Sequence, residues 1–598
     1  MRLNLLPAFH RMRPTVNKRD KTMAPSRTNP TPAMIAAVFL VALAIRAFYL
    51  AMAAEPFVFA KYPYFAEKLV KGEDIGERIL DLSPGYLYFT AAFNRVFGSD
   101  WTLLRAIQSV IGAVVSASIL VLGTRLFNPA AALMAALLYA GYGTIIVLEA
   151  THEPLILMLL LNIATVIALE SAGRTPQDHP PQWPVVIGCG LLAGASIVVK
   201  ADFLLFLPLG AWWLYGQQRS WRPRAMMAPI LFVVAAMAVV APVTIRNYLK
   251  FNDFILLTAD AGKVFYHGNG KGATALNWTG LPDEGLREEG AAEPDHAHVL
   301  FRRAAEQETG RALKPSQASR YWAVRALSDM AAEPATAIKR LVEKLCFFFN
   351  DYELTYIASV YKEYKNSLAY PFVRFGWIAA LALVGMVLAA GRFRRLWLVY
   401  AMVGVYLVSC LAFIVQARYR AAALPCLCLF GGHALDRTGR WLQEKRFRPA
   451  CLTIAAVLTL AAGSFFVFAG QIKVLDRWQT ATKIHYQLEA LPLFGQGKYP
   501  QALEAVERAI ALEPGFGPAW NLKGKIMALS ARHAEARHAF ATAIRLSPAA
   551  PAGYENLGLL LLLDGNPDAA LPLLKQALEL GSTNPKVRAT TQQTQATQ

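Results

Sequence analysis

Residues 34–72 read "MIAAVFLVALAIRAFYLAMAAEPFVFAKYPYFAEKLVKG", and two unlike signals meet inside them. Met34–Ala53 is an apolar run of the length a helix needs to cross a bilayer, about 17–25 residues. A chain that has just crossed would usually turn and dive back in. Instead, 57–72 spells a short amphipathic helix, with Phe65 and Leu69 on one side, Glu67, Lys68 and Lys71 on the other, and Gly72 to close it. A membrane anchor is thus followed at once by an interfacial helix, and the rest of the chain must say what that helix covers.

Working outward, further apolar stretches fall near 104–124, 130–148, 154–171, 184–199, 203–216, 226–245, 371–390, 396–415, 421–435 and 450–470. The pattern predicts an all-α polytopic membrane protein with about eleven transmembrane helices. Arg2, Arg11, Arg13, Lys18, Arg19, Lys21 and Arg27 precede the first span. Arg125, Arg174, Arg219, Arg222, Arg224, Arg392, Arg394, Arg395, Arg437, Arg440, Lys445, Arg446 and Arg448 fall in connections on that same side. This asymmetry predicts a cytoplasmic N-terminus and an exported C-terminus. The net charge of +19 is therefore read as membrane topology and not as a nucleic-acid surface. The first run is too long for the apolar segment of a cleaved signal and reads as an anchor. Five of the six cysteines lie in apolar stretches, which leaves no disulfide framework, and Cys426-x-Cys428 reads as packing.

The organisation follows. Residues 1–33 form a basic cytoplasmic N-terminus and 34–470 the transmembrane domain. The latter has a first periplasmic loop at 55–103 and a large insert at 249–370, where Pro334 separates two helices. Residues 471–585 repeat with a period of 34. Trp520, Gly524, Ala536 and Ala543 recur as Tyr554, Gly558, Ala570 and Ala577, and Tyr486, Ala490, Ala502 and Ala509 fit the same register. That spacing of small residues is the tetratricopeptide pattern, an α-solenoid that recruits partners. The last segment, 586–598, reads "KVRATTQQTQATQ" and is expected to be disordered.

Charged residues at the exported ends of membrane helices are costly unless they serve a purpose. "EATHEPL" places Glu149, His152 and Glu153 there, "VVKADF" Lys200 and Asp202, "PVTIRNY" Arg246 and Asn247, and "VQARYRAAALP" Arg418 and Arg420. Each alone is readily an interfacial anchor or a snorkelling side chain. Together they describe a cavity of carboxylates and guanidiniums at the outer interface. Such a cavity suits a substrate with a phosphate in the headgroup zone and an apolar tail in lipid. Arginines would hold the phosphate, and a carboxylate would deprotonate an acceptor hydroxyl. A channel or transporter would instead place polar groups at mid-bilayer.

The segments "SPGYLYFTAAFNRVFG", "LLRAIQSVIGAVVSASILVLGTRLF", "EATHEPL", "PVTIRNYLKFNDFILLTADAGKVFYHGNGKGATAL" and "ARYRAAALP" also carry a resemblance, over about residues 35–435. The chain resembles the GT-C membrane glycosyltransferases, specifically family 39-like bacterial enzymes related to protein O-mannosyltransferases and aminoarabinose transferases. The resemblance implies inverting transfer of a sugar from a polyprenyl-phosphate donor to a periplasmic acceptor, a protein or an envelope glycan brought by the repeats. It implies donor binding by Lys200, Asp202, Arg246, Asn247, His267, Asn269, Arg418 and Arg420. In this family the first exported loop carries interfacial helices that roof the cavity, and Tyr62, Phe65, Ala66, Leu69 and Gly72 fit its pattern. The position of the family's catalytic Asp is Val58 here. Glu153, Asp81 and Glu55, in that order, are the carboxylates that could replace it, and His152 with Glu153 could hold a divalent metal. The other reading is a catalytically lapsed relative that binds a polyprenyl-linked glycan or a protein as a scaffold.

Overall fold

A bilayer offers the backbone no hydrogen-bond partner, so apolar runs of this length can cross it only as helices. The computed structural model describes residues 29–52, 61–173, 182–217, 226–275, 297–354, 373–466, 472, 482, 485–486, 489–580, 582 and 584–597. Among them regular structure is helical throughout, with one isolated β-bridge between Tyr142 and Val373.

After α1 (Pro32–Met52) comes the interfacial helix α2 (Lys61–Val70), which buries Tyr62, Pro63, Phe65 and Ala66, while Leu69, expected on the same side as Phe65, is half-buried against that cluster. It packs on α3 (Pro84–Phe97), where Tyr62 meets Tyr86 edge-on with ring centroids 4.9 Å apart. Gly72 follows with φ +76°, a left-handed conformation that suits glycine. The next two helices start on side-chain caps. Asp100 accepts the Leu103 N–H at the head of α4 (Trp101–Leu126), and Asn128 accepts the Ala131 N–H at the head of α5 (Pro129–Ala140), both at 3.0 Å.

The span expected over 130–148 is broken. α5 stops at Ala140, and α6 (Gly143–Glu149) begins after two intervening residues. At the break Val373 donates its N–H to the Gly141 carbonyl at 3.3 Å, so the chain returning from the insert supplies a partner that helix continuity would have supplied. Next come α7 (Leu155–Ala172), α8 (Trp183–Val199), a 3₁₀ turn at Ala201–Phe206 and α9 (Leu207–Gln217), which keep 184–199 and 203–216 as separate helices. The next helix, α10 (Met227–Phe251), leads into the insert.

Within the insert, α11 (Ala261–Asn269), α12 (Ala297–Thr309) and α13 (Pro315–Ala332) share a core of Tyr266, Phe301, Leu313 and Trp322. A last insert helix, α14 (Pro334–Phe348), starts at the proline that separates it from α13. The bundle is completed by α15 (Phe375–Ala389), α16 (Trp397–Ala412), a tight turn at 417–423, α17 (Leu424–Gln443) and α18 (Phe447–Phe466). Six helices among the described residues are long and apolar enough to cross a membrane: α1, α4, α7, α10, α15 with its extension to Arg392, and α18. With the shorter apolar helices α5, α8 and α16, they make this a multi-pass membrane protein.

The tail is a solenoid of short helices: α19 (Leu491–Gly495), α20 (Tyr499–Leu512), α21 (Gly517–Leu529), α22 (His533–Leu546), α23 (Pro551–Leu563) and α24 (Pro567–Glu579). The 34-residue repeat is visible as packing. Gly524 lies against Phe540 of the paired helix as Gly558 lies against Leu574, close enough that a Cβ at either glycine would overlap the facing side chain. The expectation of disorder over 586–598 is corrected: α25 (Pro585–Thr597) runs there. Val587 packs with Leu574 and Ala577 of the final repeat, an apolar face that would otherwise have no neighbour.

One buried ion pair ties α1 to α6. Arg46 donates from Nε to Glu149 at 2.6 Å and from its second terminal nitrogen at 2.9 Å, with Tyr139 Oη also on the carboxylate at 3.3 Å. Both charged side chains are fully buried. Gly112 of α4 makes the room, because a Cβ there would overlap both partners. Removing one partner strands the other charge, so Arg46→Ala or Glu149→Ala should lower stability by roughly 3–5 kcal/mol. The double change Arg46→Met/Glu149→Leu should cost less than either. Thermal unfolding of the detergent-solubilised protein checks this, and a double variant as unstable as the sum of the singles would contradict it.

Candidate functional site

Three of the four charged clusters meet at one place. Pro154 opens α7, and the preceding Glu153 is held by Arg418, whose NH1 lies 2.9 and 3.0 Å from the two carboxylate oxygens. Arg418 also donates from Nε to Gln416 Oε1 at 2.9 Å and from NH2 to Tyr419 Oη at 3.2 Å. The Lys200 ammonium sits 4.8 Å from the centre of the Tyr419 ring, and the Asp202 carboxylate supplies an opposing charge. Arg418 keeps 22% of its side chain exposed against 8% for Glu153, so the guanidinium forms the open side of the pair.

The interfacial helix forms the roof of this cluster. Tyr62 Oη accepts the Ser83 N–H at 3.1 Å, and the Ser83 hydroxyl donates to the Val199 carbonyl, one residue before Lys200. Burial, and then the Glu153 carboxylate, push the Tyr62 phenol above its ordinary pKa, which keeps it protonated. Under it, Tyr86 Oη lies 3.3 Å from Gln108 Oε1. Gln108 Nε2 donates to the carbonyls of Glu149 and Thr151 at 3.0 Å each. The loop that presents Glu153 is thereby fixed from α3 and α4.

Asp81 belongs to a neighbouring group. Its carboxylate pairs with Asp260, and the Lys263 ammonium stands 2.7 Å from Asp260 Oδ1 and 3.5 Å from Asp81 Oδ1. Burial, and then the Asp260 charge, hold the Asp81 carboxyl well above the usual carboxylate range, against the pull of Lys263. Environments that shift a carboxyl upward suit it to proton transfer near neutral pH. Sequence reading had Asp81 but not Asp260 or Lys263, although both lie in the segment "LLTADAGKVF". Nothing in a single sequence pairs residues 179 positions apart. A polar Gln108 inside an apolar span was a signal that reading the helix ends alone passed over.

The remaining candidates lie elsewhere. Arg420 is buried and enclosed by protein. It donates to the carbonyls of Phe347, Phe348, Asn350 and Tyr352 and pairs with Glu353 at 2.8 Å, while Tyr142 Oη holds the other oxygen of that carboxylate. Its surroundings give it a structural task. Arg246 reaches Tyr88 Oη at 2.7 Å and the side chain of Asn247. Asn247 staples α10 to the loop beyond it through the Ile255 and Leu257 carbonyls. Asn269 bonds to the Phe265 and Ala412 carbonyls, and His267 packs its ring on Phe301 in the insert core. Glu55 and Val58 lie outside the described residues.

His152 and Glu153 do not fit a metal. His152 Nε2 is 3.2 Å from the Trp101 carbonyl and its ring faces the Trp101 ring, while both Glu153 oxygens are on Arg418. Among the described residues no group of three or more His, Cys, Asp and Glu side chains is arranged to hold an ion.

Residues 81–245 match the family model of the dolichyl-phosphate-mannose-protein mannosyltransferases, and residues 488–537 and 530–585 match the tetratricopeptide repeat model. The first match covers Asp81, Glu153, Lys200 and Asp202. No curated protein matches the chain. Similar solved structures include the Archaeoglobus fulgidus oligosaccharyltransferase tethered with an acceptor peptide containing the NVT sequon. It is 12% identical with a TM-score of 0.42, over 79% of this chain and 59% of that one. Another is the archaeal oligosaccharyltransferase from the same organism in complex with an inhibitory peptide and a dolichol-phosphate, at 12% identity and a TM-score of 0.41, over 75% of this chain and 58% of that one. This chain therefore spans less than two thirds of the length of those structures.

The two arginines of "ARYR" should separate experimentally. Arg420→Ala strands Glu353 and four carbonyls and should cost roughly 3–5 kcal/mol of stability, whereas Arg418→Ala, at a partly open pair, should cost clearly less. Thermal melts in detergent decide between them, and equal losses would refute the division. His152 gives a pH test. Burial lowers its pKa from 6.5 to about 4, so the folded protein keeps the imidazole neutral. Its contribution is complete above about pH 6.5 and is lost as pH falls towards about 4, where the unfolded chain takes up the proton first. The melting temperature should fall across that window, and by less in His152→Gln.

Proposed function

We propose that the chain is an inverting membrane glycosyltransferase that moves a sugar from a polyprenyl-phosphate donor to an acceptor hydroxyl. The observation that carries this reading is the gathering of Glu153, Arg418, Lys200 and Asp202 under Tyr62 of an interfacial helix, beside a buried carboxyl of raised pKa. The match of residues 81–245 to a mannosyltransferase family adds to it.

In the proposed mechanism Arg418 and Lys200 bind the donor phosphate at the headgroup level, and the polyprenyl tail remains in lipid. Asp81 is the preferred base. Its neighbours Asp260 and Lys263 tune it, whereas Glu153 has both oxygens committed to Arg418 and serves to orient that guanidinium. The acceptor oxygen attacks the anomeric carbon and its proton passes to Asp81. The bond to the phosphate oxygen breaks, and its electron pair leaves with the polyprenyl phosphate towards Arg418 and Lys200. A single displacement inverts the anomeric centre.

The site would lie on the periplasmic side of a bacterial inner membrane, with the N-terminus cytoplasmic and the repeats periplasmic. Arg125, Arg392 and Arg395 meet at one end of the bundle, the end that charge asymmetry makes cytoplasmic. The repeat domain would recruit the acceptor, a periplasmic protein or glycan. The scaffold reading rests on one observation: the position of the family's catalytic Asp holds Val58.

Purified protein offered a panel of polyprenyl-phosphate sugars separates the two readings. Asp81→Asn should lower transfer by about 10²–10⁴-fold while donor binding holds, as for loss of a general base. Arg418→Lys should weaken donor binding, because the fork geometry goes with the guanidinium. A silent parent in which Val58→Asp creates transfer would establish the lapsed scaffold, and an active parent indifferent to Asp81→Asn would remove Asp81 from the mechanism.

A further inference from the structure

Helix α14 is amphipathic in the reverse of the usual sense. The face it turns to the protein carries cations. Arg340 donates to the Asn269 carbonyl at 2.5 Å. Lys344 Nζ donates to the carbonyls of Leu411 and Phe413, at 3.2 and 2.6 Å, and to Asn269 Oδ1 at 3.1 Å. The face it turns away carries Ile338, Leu341, Val342 and Leu345, at spacings of three, one and three, with exposures of 63, 38, 55 and 41%. This is one continuous aliphatic stripe along the helix. A stripe of that kind facing water would be an uncovered apolar patch of the sort that marks an interaction surface.

The occupant is indicated by where the helix is fastened. Lys344 caps the last carbonyls of α16, an apolar helix of the bundle, so α14 is held at the level where α16 ends. Val408, one turn before that end, is 56% exposed on the bundle's outer surface. The stripe and the lipid-facing surface of α16 thus meet at the same edge of the membrane. Lys339 stands beside the stripe, 4.0 Å from Glu343 Oε1 and with 77% of its side chain exposed, where a long cationic side chain can reach lipid phosphates. At 15 residues α14 measures about 22 Å and is too short to span the hydrocarbon core.

We infer that α14, in sequence a part of the exported insert, is seated in the bilayer, with Ile338, Leu341, Val342 and Leu345 in contact with the acyl chains of the leaflet around the end of α16. The contact has a consequence for the site. The carbonyls of Phe347 and Phe348, the last residues of α14, accept from Arg420, so the depth of this helix in the leaflet bears on the turn that presents Arg418. The inference needs no catalytic activity and stands apart from the proposed transfer reaction.

The test uses the full-length chain with the two exposed cysteines replaced, Cys346→Ser and Cys451→Ser, while the buried Cys189, Cys410, Cys426 and Cys428 remain. A nitroxide is placed by Leu341→Cys or, in a second protein, Val342→Cys, with Arg320→Cys on the exposed side of α13 as the water-facing reference. In vesicles of phosphatidylethanolamine and phosphatidylglycerol, collision with oxygen, which concentrates in hydrocarbon, is compared with collision with a water-soluble nickel chelate. Both stripe positions should show strong oxygen and weak nickel collision, with Arg320→Cys reversed. Nickel collision at the stripe equal to that at Arg320→Cys would place the helix in water and overturn the inference. Weak collision with both probes would overturn it in favour of a protein cover, such as a second copy of the chain.

Discussion

The guanidinium of Arg420 decides where the candidate site stands. Its bonds run to the carbonyls of Phe347, Phe348, Asn350 and Tyr352 and to the Glu353 carboxylate, while the Ala417 N–H donates to the Leu354 carbonyl at 2.9 Å. The turn at 417–420 is thereby fastened to the chain leaving the insert. Arg418 lies two residues earlier on that turn and points to the other side, onto Glu153. An arginine suits this task because its planar fork serves several carbonyls and a carboxylate at once. The position of Arg418 is thus inherited from a buried neighbour that has no open side of its own.

The ionic groups fall into two kinds by access. Arg46 with Glu149, and Arg420 with Glu353, are closed off from solvent, where removing one partner leaves the other charge buried and unpaired. Two tyrosines flank the break between α5 and α6, and each serves one pair. Tyr139 Oη lies on Glu149 and Tyr142 Oη on Glu353. The break is therefore the point at which the two pairs are held in register. Arg418 and Lys200 are of the other kind, partly open and gathered around Tyr419. Chemistry with a charged substrate needs such groups, since a guanidinium enclosed by carbonyls has nothing left to offer a phosphate.

Much of this was legible in the sequence because it is periodic. Hydropathy marks the bundle helices, the 34-residue period marks the repeats, and the spacing of Phe65 and Leu69 marks the roof helix. Convergence of the helix ends was legible too, through charge asymmetry, and it brought Glu153, Lys200, Asp202 and Arg418 together. The division of labour between Arg418 and Arg420 was not. The two sit in one motif two positions apart, and only the fold decides which meets a carbonyl cage. The helix over 585–597 escaped composition for a related reason. Its few apolar residues suffice because Val587 meets a face left over from the last repeat, and that face exists only once the solenoid is stacked.

The positive charge of the chain takes on a different meaning once the helix ends are inspected. The final turn of a helix leaves carbonyls with no partner, and a cation there satisfies them and the helix dipole together. At one end of the bundle Arg392 and Arg395 close the Leu126 and Arg125 carbonyls of α4, at 2.7 and 2.9 Å. At the other, Lys344 closes α16 and Arg340 closes α11 through the Asn269 carbonyl. These cations lie at both ends of the helices they close and are occupied within the fold. A count of basic residues therefore overstates the charge open to an anionic partner. Among the described residues beside Glu153, Arg418 and Lys200 around Tyr419 keep part of their surface open, and these are the two cations the proposed mechanism assigns to the donor phosphate.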